Sequence, residues 1–497
     1  MSNPAPAPTP RPLPDATGDA AGRADMRALL LLGGLVFTAA VLGTLSRPLN
    51  MLASFWPANA VMLGMMVRSQ RLGSSAVAWS VGALALVTSA LLMGDAPLKA
   101  LWLSAANLAG VLAGWLYFQR VPRRAALLGD QLSPLYLLFG CVVAAFAAAL
   151  VAFAMGPVLF GSEPRRTFLM WFTSEFMNYM LMLPAVLCAP RWPDWTWLRS
   201  PPRVSCVSLA PAAVLVASEL LAHLMGGPGA LGFGVPALLW CALRYRLFTT
   251  TVLCLVVGTV KSVTLSMGMM AYTPEVMEEV VSMRVALALL SLGPLAVACT
   301  QTLRNELLGR LQHAATFDAL TGVLSRAAFI ERSERLLARP EAFPVAVLML
   351  DIDHFKQIND RHGHAVGDDV LRGFAERLQA RLRPTDLFGR LGGEEFAMVL
   401  PGISRAEAQS VAQRLCEATR AQPFALSSGE VGPLHATVSI GIAHQGRLLP
   451  ERAVDELLRR ADVALYVAKR QGRDRCAMHG EETVDDPAGG AAPAAAG

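Results

Sequence analysis

Arg390-Leu391-Gly392-Gly393-Glu394-Glu395-Phe396 sets two glycines and two adjacent carboxylates between apolar runs, Leu387-Phe388 before and Phe396-Ala397-Met398-Val399-Leu400 after. The pattern predicts a hairpin. Gly392 and Gly393 accept positive φ and let a ligand approach the backbone, while the flanking runs have strand composition. Upstream, Val345-Ala346-Val347-Leu348-Met349-Leu350 reads as a buried strand that runs out into Asp351-Ile352-Asp353-His354-Phe355-Lys356. A glycine-carboxylate turn alone is a common surface feature, but carboxylates at two strand ends predict one shared metal site.

Around this core the composition separates two regions. The chain has 497 residues, 54% of them hydrophobic, with apolar runs from about 28 to 298 and charge concentrated after Arg304. That is too long for one ordinary domain, and the apolar runs are long enough to cross a hydrocarbon core. A polytopic all-α membrane domain over 26–303 is expected, followed by an α/β domain over 316–478. About ten spans (eight to ten) are expected, near 27–45, 50–67, 73–94, 98–118, 132–156, 167–189, 205–225, 228–245, 247–268 and 280–303. With the N-terminus in the cytoplasm, Arg68, Arg71, Arg120, Arg123, Arg124, Arg191, Arg199, Arg203, Arg244 and Arg246 fall inside, against Arg47, Lys99, Arg165 and Arg166 outside. This is the positive-inside asymmetry. It also accounts for much of the net charge of +5 without a nucleic-acid partner.

Residues 1–25, with prolines at every second position from Pro4 to Pro14, are expected to be a disordered arm, and 480–497 a disordered tail. The first apolar run lacks the basic start of a cleavable signal and is expected to remain as an anchor. The eight cysteines include no C-x-x-C pair and most lie in apolar runs, so they read as small core residues. From Ala298 no proline interrupts the chain through Leu311, and Leu303, Leu307 and Leu311 recur every four residues. Over 296–316 this predicts a signalling helix or short coiled coil.

Within the spans, Glu175 and Asn178, Glu219 and His223 four residues apart, and Lys261 are costly in hydrocarbon and should face the bundle interior. Either they pair with one another for packing or they line a ligand or ion pocket. Phe55-Trp56-Pro57-Ala58-Asn59, together with the many-span layout, resembles the membrane-associated sensor (MASE-type) family, which would add Trp56 to a sensor site for an unknown ligand or protein. A generic polytopic anchor is the alternative, since a Trp-Pro pair also marks a simple helix kink.

The soluble part carries four further stretches: Asp318-Ala319-Leu320-Thr321-Gly322-Val323-Leu324-Ser325-Arg326, Asp351 through Asn359-Asp360, Gly363-His364 and Gly367-Asp368. With Gly392-Gly393-Glu394-Glu395-Phe396 they stand in the order and spacing of the GGDEF-domain diguanylate cyclases. The chain from about 315 to 478 resembles that family, whose members join two GTP into cyclic di-GMP, releasing two pyrophosphates. The resemblance implies a nucleotidyl-cyclase-like, palm-type fold, an antiparallel-containing sheet flanked by helices. Expected elements are helices 326–339, 364–383, 404–421 and 453–471, strands 344–350 and 434–444, and hairpin strands around 386–400.

Attack of a ribose 3′-hydroxyl on an α-phosphate needs a deprotonated nucleophile and neutralised triphosphate charge, which two divalent cations supply. Mg2+ suits oxygen ligands, with Mn2+ as the alternative ion. By resemblance, Asp351 and the Ile352 carbonyl bind metal, and Glu394 and Glu395 share metal binding and activation of the hydroxyl, Glu394 being preferred as base. The amides around His354-Phe355 cradle phosphate, Gly393 allows close approach, and Lys356 meets charge on the transferred phosphate. Lys469 and Arg473, near the end of the last helix, resemble further triphosphate contacts. Asn359 and Asp368, with His364 between them, occupy the guanine-reading positions and favour GTP over ATP. Arg383-Pro384-Thr385-Asp386 resembles the family's R-x-x-D inhibitory site for a product dimer, with Arg414 behind it.

These readings imply an enzyme of the bacterial inner membrane with its cyclase domain in the cytoplasm, acting as a homodimer because each domain binds one GTP. Without an E-A-L-type hydrolase pattern, synthesis alone is expected. A receptor with weak turnover is the rival within the class, although its usual sign, a broken GGEEF, is absent. A transporter-like sensor whose cyclase domain reports occupancy is the rival outside it, separable by substrate uptake in proteoliposomes. A class III adenylyl cyclase shares the metal logic but not the Asn359 and Asp368 pair.

Overall fold

A computed structural model describes residues 16–46, 55–160, 163–190, 206–266, 277–426, 432–447 and 453–480. The chain divides into two compact units, Met1–Glu306 and Leu307–Gly497. The proline-rich residues 1–15, the tail after 480, and Arg47, Arg191, Arg199 and Arg203 of the charge asymmetry lie outside the described residues.

The first unit is helical: α1 (Ala16–Leu45), α2 (Ala58–Arg68), α3 (Gln70–Ser74), α4 (Ala76–Leu92), α5 (Pro97–Phe118), α6 (Arg123–Ala126), α7 (Ser133–Phe160), α8 (Pro164–Leu187), α9 (Cys206–Met225), α10 (Val235–Arg244), α11 (Leu247–Ser266) and α12 (Met277–Leu290). The next helix, α13 (Leu292–Thr316), contains the boundary between the units. Local signals set the starts. Ser69 and Ser75 accept the Leu72 and Ala78 N–H groups at 3.4 and 3.3 Å, and Pro97 and Pro164 stand in first turns, where a missing N–H leaves nothing unpaired.

Six described helices are long and apolar enough to cross a membrane: Asp25–Leu45, Pro97–Phe118, Ser133–Val158, Val207–Met225, Leu247–Thr264 and Val280–Thr316. Ala76–Leu92 and Gly229–Arg244 are shorter apolar helices. By this measure of length and hydropathy the described residues give fewer than the expected eight to ten spans, and the reasons are local. Segment 50–67 supplies only α2, whose 11 residues make about 16 Å of helix against a core of about 30 Å. Segment 228–245 supplies the 10 residues of α10. Segment 167–189 belongs to α8, which is buried at every position from Thr173 to Leu181, with α2, α7, α11 and α12 packed around it. As the interior helix it carries polar residues that a lipid-facing span would not.

The arm is also shorter than expected. Helix α1 begins at Ala16, two residues after the last proline of the run, Pro14. Arg68 donates to Val186 O at 2.7 Å, Arg123 to Arg68 O at 2.8 Å, and Arg124 pairs with Glu306 at 2.5 Å. The ends of α2, α8 and the start of α6, assigned to one side by charge, thus lie together. Along α13, Leu307 and Leu311 are exposed, 50% and 66%.

The second unit runs α14 (Arg326–Leu337), β1 (Val345–Ile352), α15 (Phe355–His362), α16 (His364–Gln379), β2 (Leu387–Gly392), β3 (Glu395–Pro401), α17 (Arg405–Arg420), β4 (Val438–Gln445), α18 (Ala453–Arg470) and β5 (Cys476–Met478). The sheet order is β2-β3-β1-β4-β5, antiparallel except for the parallel β4–β5 pair. Strand β1 is buried along its whole length, and its period of two feeds two cores. Ala346, Leu348, Leu350 and Ile352 pack with Phe355, Phe374 and Phe396 on one face, while Val345, Val347 and Met349 pack with Phe329, Leu457 and Leu465 on the other. The strand expected over 434–444 starts only at Val438, and the helix expected to reach 383 ends at Gln379. Neither α15 nor β5 was expected.

Candidate active site

The carboxylates gather where the middle of the sheet runs out. In the antiparallel register Asp351 of β1 stands opposite Glu395 of β3, and opposed residues project to the same face. Glu394 occupies the turn just before. Lys469, in the last turn of α18, reaches Asp351 Oδ2 at 2.7 Å. Burial pushes the Asp351 carboxyl up, Lys469 pulls it back, and the charges of Glu394 and Glu395 push it up again, leaving it above the ordinary carboxylate value. Three carboxylates that repel one another form a donor set short of positive charge, which fits a hard cation with oxygen ligands. Among the described residues no group of three such side chains closes into a metal cage. A Mg2+ ion held by Asp351, Glu394 and Glu395 would therefore complete its shell with the Ile352 carbonyl, water and phosphate oxygens.

The turn that presents Glu394 and Glu395 is held by a residue the sequence reading passed over. Arg390 donates through Nε and Nη2 to Gly393 O, at 2.9 and 2.7 Å, and through Nη1 to Asp318 Oδ1 at 3.1 Å. Gly393 has φ of 49°, the left-handed region that favours glycine. Asp318 also accepts the Thr321 N–H and hydroxyl at 2.9 and 2.7 Å. The Asp318 stretch thus braces the hairpin tip. The signal was present in the sequence, since both residues belong to the quoted motifs.

Asp353, two residues after Asp351, is a second brace. It is buried and accepts the Thr437 and Ser439 hydroxyls, each at 2.7 Å, and the Asp474 N–H at 3.1 Å. These bonds tie the end of β1 to the start of β4 and to the turn after α18. Arg473 lies in that turn with φ of 61°, just beyond the helix end at Arg470, close to where the expected helix 453–471 stops. Its side chain therefore does not extend the Lys469 face of α18.

His354 caps α15 in the left-handed conformation, φ of 58°, turning the chain sharply so that buried Phe355 anchors the helix and exposed Lys356 leaves it. Asn359 Oδ1 is buried with no hydrogen-bond partner, and it lies 1.9 Å from where a Cβ on Gly367 would stand. Gly367 is thus required by the amide beside it. Asp368 is half-buried on α16, and His364 is exposed at that helix's first turn. Away from the hairpin tip, Asp386 Oδ2 accepts the Arg383 N–H at 2.8 Å, closing the turn on itself, and burial raises the Asp386 carboxyl while Arg383 offsets part of the shift. The Arg383 and Arg414 side chains are exposed.

In the first unit the intramembrane polar residues form two groups. The Trp56 backbone N–H donates to Asn178 Oδ1 at 2.9 Å, and Asn59 Nδ2 donates to Glu175 Oε2 at 2.9 Å, so the Phe55–Asn59 stretch docks on α8. Elsewhere Lys261 pairs with Glu219 at 2.8 Å. His223 is exposed and does not share that pair, which corrects the expected Glu219–His223 face. A helix turn away from Glu219, it looks outward from the bundle.

Residues 315–475 match the family model described as the diguanylate cyclase, GGDEF domain. The chain is 30% identical over 455 residues, 89% of its length and 93% of the relative's, to the probable diguanylate cyclase DgcF of Escherichia coli O157:H7. It is 41% identical over 180 residues, 35% of this chain and 38% of the relative, to the response regulator PleD of Caulobacter vibrioides. A crystal structure of the coiled coil and GGDEF domain of DgcB from Caulobacter crescentus in complex with c-di-GMP aligns with 31% identity and a TM-score of 0.33, over 35% of this chain and 91% of that one. With its hairpin carboxylates opposite Asp351 and a relative matched along nearly its whole length, the chain belongs to the GGDEF-domain diguanylate cyclase family.

Proposed function

We propose that this protein is a multi-pass diguanylate cyclase of the bacterial inner membrane, condensing two GTP into cyclic di-GMP and two pyrophosphates on a cytoplasmic domain over 316–478. The observation that carries the reading is the register that sets Asp351 against Glu395 at the end of a buried strand, with Glu394 beside them.

When bound, Mg2+ (two ions per active site, or Mn2+) supplies neutralisation of the triphosphate and acidification of the 3′-hydroxyl. Asp351, the Ile352 carbonyl, Glu394 and Glu395 would be its ligands. Glu394 takes the proton from the 3′-hydroxyl, the oxygen attacks the α-phosphorus of the other GTP, and pyrophosphate leaves with its bonding pair. The reciprocal step closes the ring. Lys469, which pairs with Asp351 at 2.7 Å, stands at the carboxylate that would hold the metal and would meet triphosphate charge there. Lys356 meets charge on the transferred phosphate, with Arg473 as a further contact. Asn359 and Asp368 read the guanine edge, beside His364, and Gly393 and the amides at Phe355 allow close approach of phosphate.

Because one domain holds one GTP, the active form is a homodimer with its two sites facing, aligned through the helix over 296–316. Control is exerted by the membrane domain, of the MASE-type sensor class, and by product held at Arg383, Asp386 and Arg414. The test is product formation by the purified full-length protein with GTP and Mg2+. Glu394→Gln and Asp351→Asn should each abolish cyclic di-GMP while leaving expression and membrane insertion unchanged; substantial turnover in both variants would refute the assignment.

A further inference from the structure

Two acidic side chains enter the interior of the helical unit, and they are satisfied differently. Glu219 of α9 has Lys261 Nζ at 2.8 Å as counter-ion, and the ammonium also donates to Ala230 O at 3.1 Å. Glu175 of α8 is only 5% exposed, accepts one hydrogen bond from Asn59, and has no cationic partner among the described residues. An ionised carboxylate in such surroundings carries a large desolvation penalty, so it must either take up a proton or hold a cation.

The neighbouring oxygens decide between these. Asn59 Nδ2 donates both to Glu175 and, at 3.0 Å, to Asn107 Oδ1 of α5, which uses both amide protons. Asn59 Oδ1 is left buried and unpartnered, as is the Tyr179 hydroxyl, on residues 1% and 0% exposed. Tyr179 follows Glu175 by one turn of α8. Its hydroxyl lies 3.3 Å from where a Cβ on Gly110 would stand, one turn after Asn107 on α5, so the two helices aim these groups at the same region. Protonating Glu175 would remove its charge and add a single O–H donor, which can satisfy at most one of the two oxygens and leaves the other orphaned at about 1–3 kcal/mol. A cation takes carboxylate, amide and hydroxyl oxygens together as ligands.

Charge then selects the ion, because a single carboxylate balances a single positive charge and a divalent ion would leave net charge in an apolar interior. Among the described residues, the titratable groups beside Glu175 here are Tyr179 itself and Cys141 of α7. Arg284 of α12 is engaged with Met170 O at 3.2 Å, more than a turn away on α8, and Arg68, at the end of α2, with Val186 O.

We propose that Glu175, Asn59, Asn107 and Tyr179 form a monovalent-cation site inside the membrane domain. The site gives chemical content to the sensor role, and its coupling to output rests on that reading. Occupancy would draw α2 and α5 onto α8, because the ligands come from all three helices.

The test uses the full-length protein in nanodiscs, with equilibrium binding of radioactive Na+ and, in a second arm, Rb+ in place of K+. Wild type should show saturable binding of one of these ions. Glu175→Gln, which keeps the shape and the Asn59 bond, should weaken binding at least about tenfold, a change of about 1.4 kcal/mol. Tyr179→Phe should weaken it less, and serves if Glu175→Gln does not fold. Saturable binding of neither ion in wild type overturns the proposal, as does equal binding in both variants. So does a response to pH alone, which would make Glu175 a proton carrier. Cyclic di-GMP output, measured in parallel with choline replacing the ion, separates the readings: binding without a change in output upholds the site and sinks sensor control.

Discussion

Removing Arg390 should cripple turnover without touching a ligand of metal or substrate. Its guanidinium makes two bonds to one carbonyl, Gly393 O, and a half-buried ion pair with Asp318, the side chains being 15% and 25% exposed. The two donors share one acceptor and count as one charge-assisted bond of about 1.5–3 kcal/mol, and the ion pair adds up to about 1 kcal/mol. About 1.5–4 kcal/mol therefore holds the hairpin tip, and not all of it will appear in the barrier. Arg390→Ala is expected to lower kcat by about 10- to 100-fold, the equivalent of about 1.4–2.7 kcal/mol. Arg390→Lys keeps the charge but not the fork and should recover only part of the loss. The assay is initial velocity at saturating GTP, with thermal unfolding measured alongside to separate positioning from stability. The clamp has a pH signature. Burial raises the Asp318 carboxyl, but bonds from Thr321 and Arg390 outweigh it and hold it below the ordinary value. Such a group contributes its full stability above the unfolded value of about 3.9 and loses it as pH falls through the folded value, so the clamp is intact at neutral pH. An Arg390→Ala enzyme within about threefold of wild type in kcat, less than 1 kcal/mol, would refute the reasoning.

Gly367→Ala places a Cβ 1.9 Å from Asn359 Oδ1 and should raise the KM for GTP by about tenfold with little change in kcat; an unchanged KM would remove Asn359 from base reading. Arg383→Ala should abolish product inhibition while initial velocity stays at the wild-type level, whereas an unaltered inhibition curve would assign the effect to competition at the GTP site. Asp353→Ala strands two hydroxyls and the Asp474 N–H, and should destabilise the cyclase unit by about 2–4 kcal/mol in chemical denaturation, a midpoint equal to wild type counting against the network.

The sheet and the hairpin were legible because their signals are periodic and local. Val345 to Leu350 is an unbroken apolar run, and two glycines before two carboxylates leave little choice of turn. Helix α15 was not legible, since it follows a non-glycine residue in the left-handed region and its 8 residues are mostly polar. Strand β5 has 3 residues and exists only through its parallel pairing with β4. In the membrane unit, Glu175 and Asn178 lie inside the bundle, and Glu219 pairs with Lys261, another of the polar residues singled out. Which of these residues meet was not legible, because pairing across helices leaves no periodic trace. The difference between six apolar spans and the expected eight to ten has a related origin: apolar length alone does not separate a helix wrapped in protein, such as α8, from one wrapped in lipid.

Strand β1 also says which genetic changes this enzyme can absorb. Asp351 is flanked by Glu395 on one side and Ser439 on the other, and the fixed pairing extends back to Val345 opposite Pro401 and Gln445. Deleting any single codon from 345 to 350 would slide the aspartate by one place and turn it through the sheet to the opposite face. Codons well away from the catalytic carboxylates therefore carry the same functional weight as Asp351 itself, although no side chain they encode approaches a nucleotide. In a deletion scan the hydrophobic strand should be as intolerant as the acidic turn, and length variation among descendants of this gene should collect outside the paired strands.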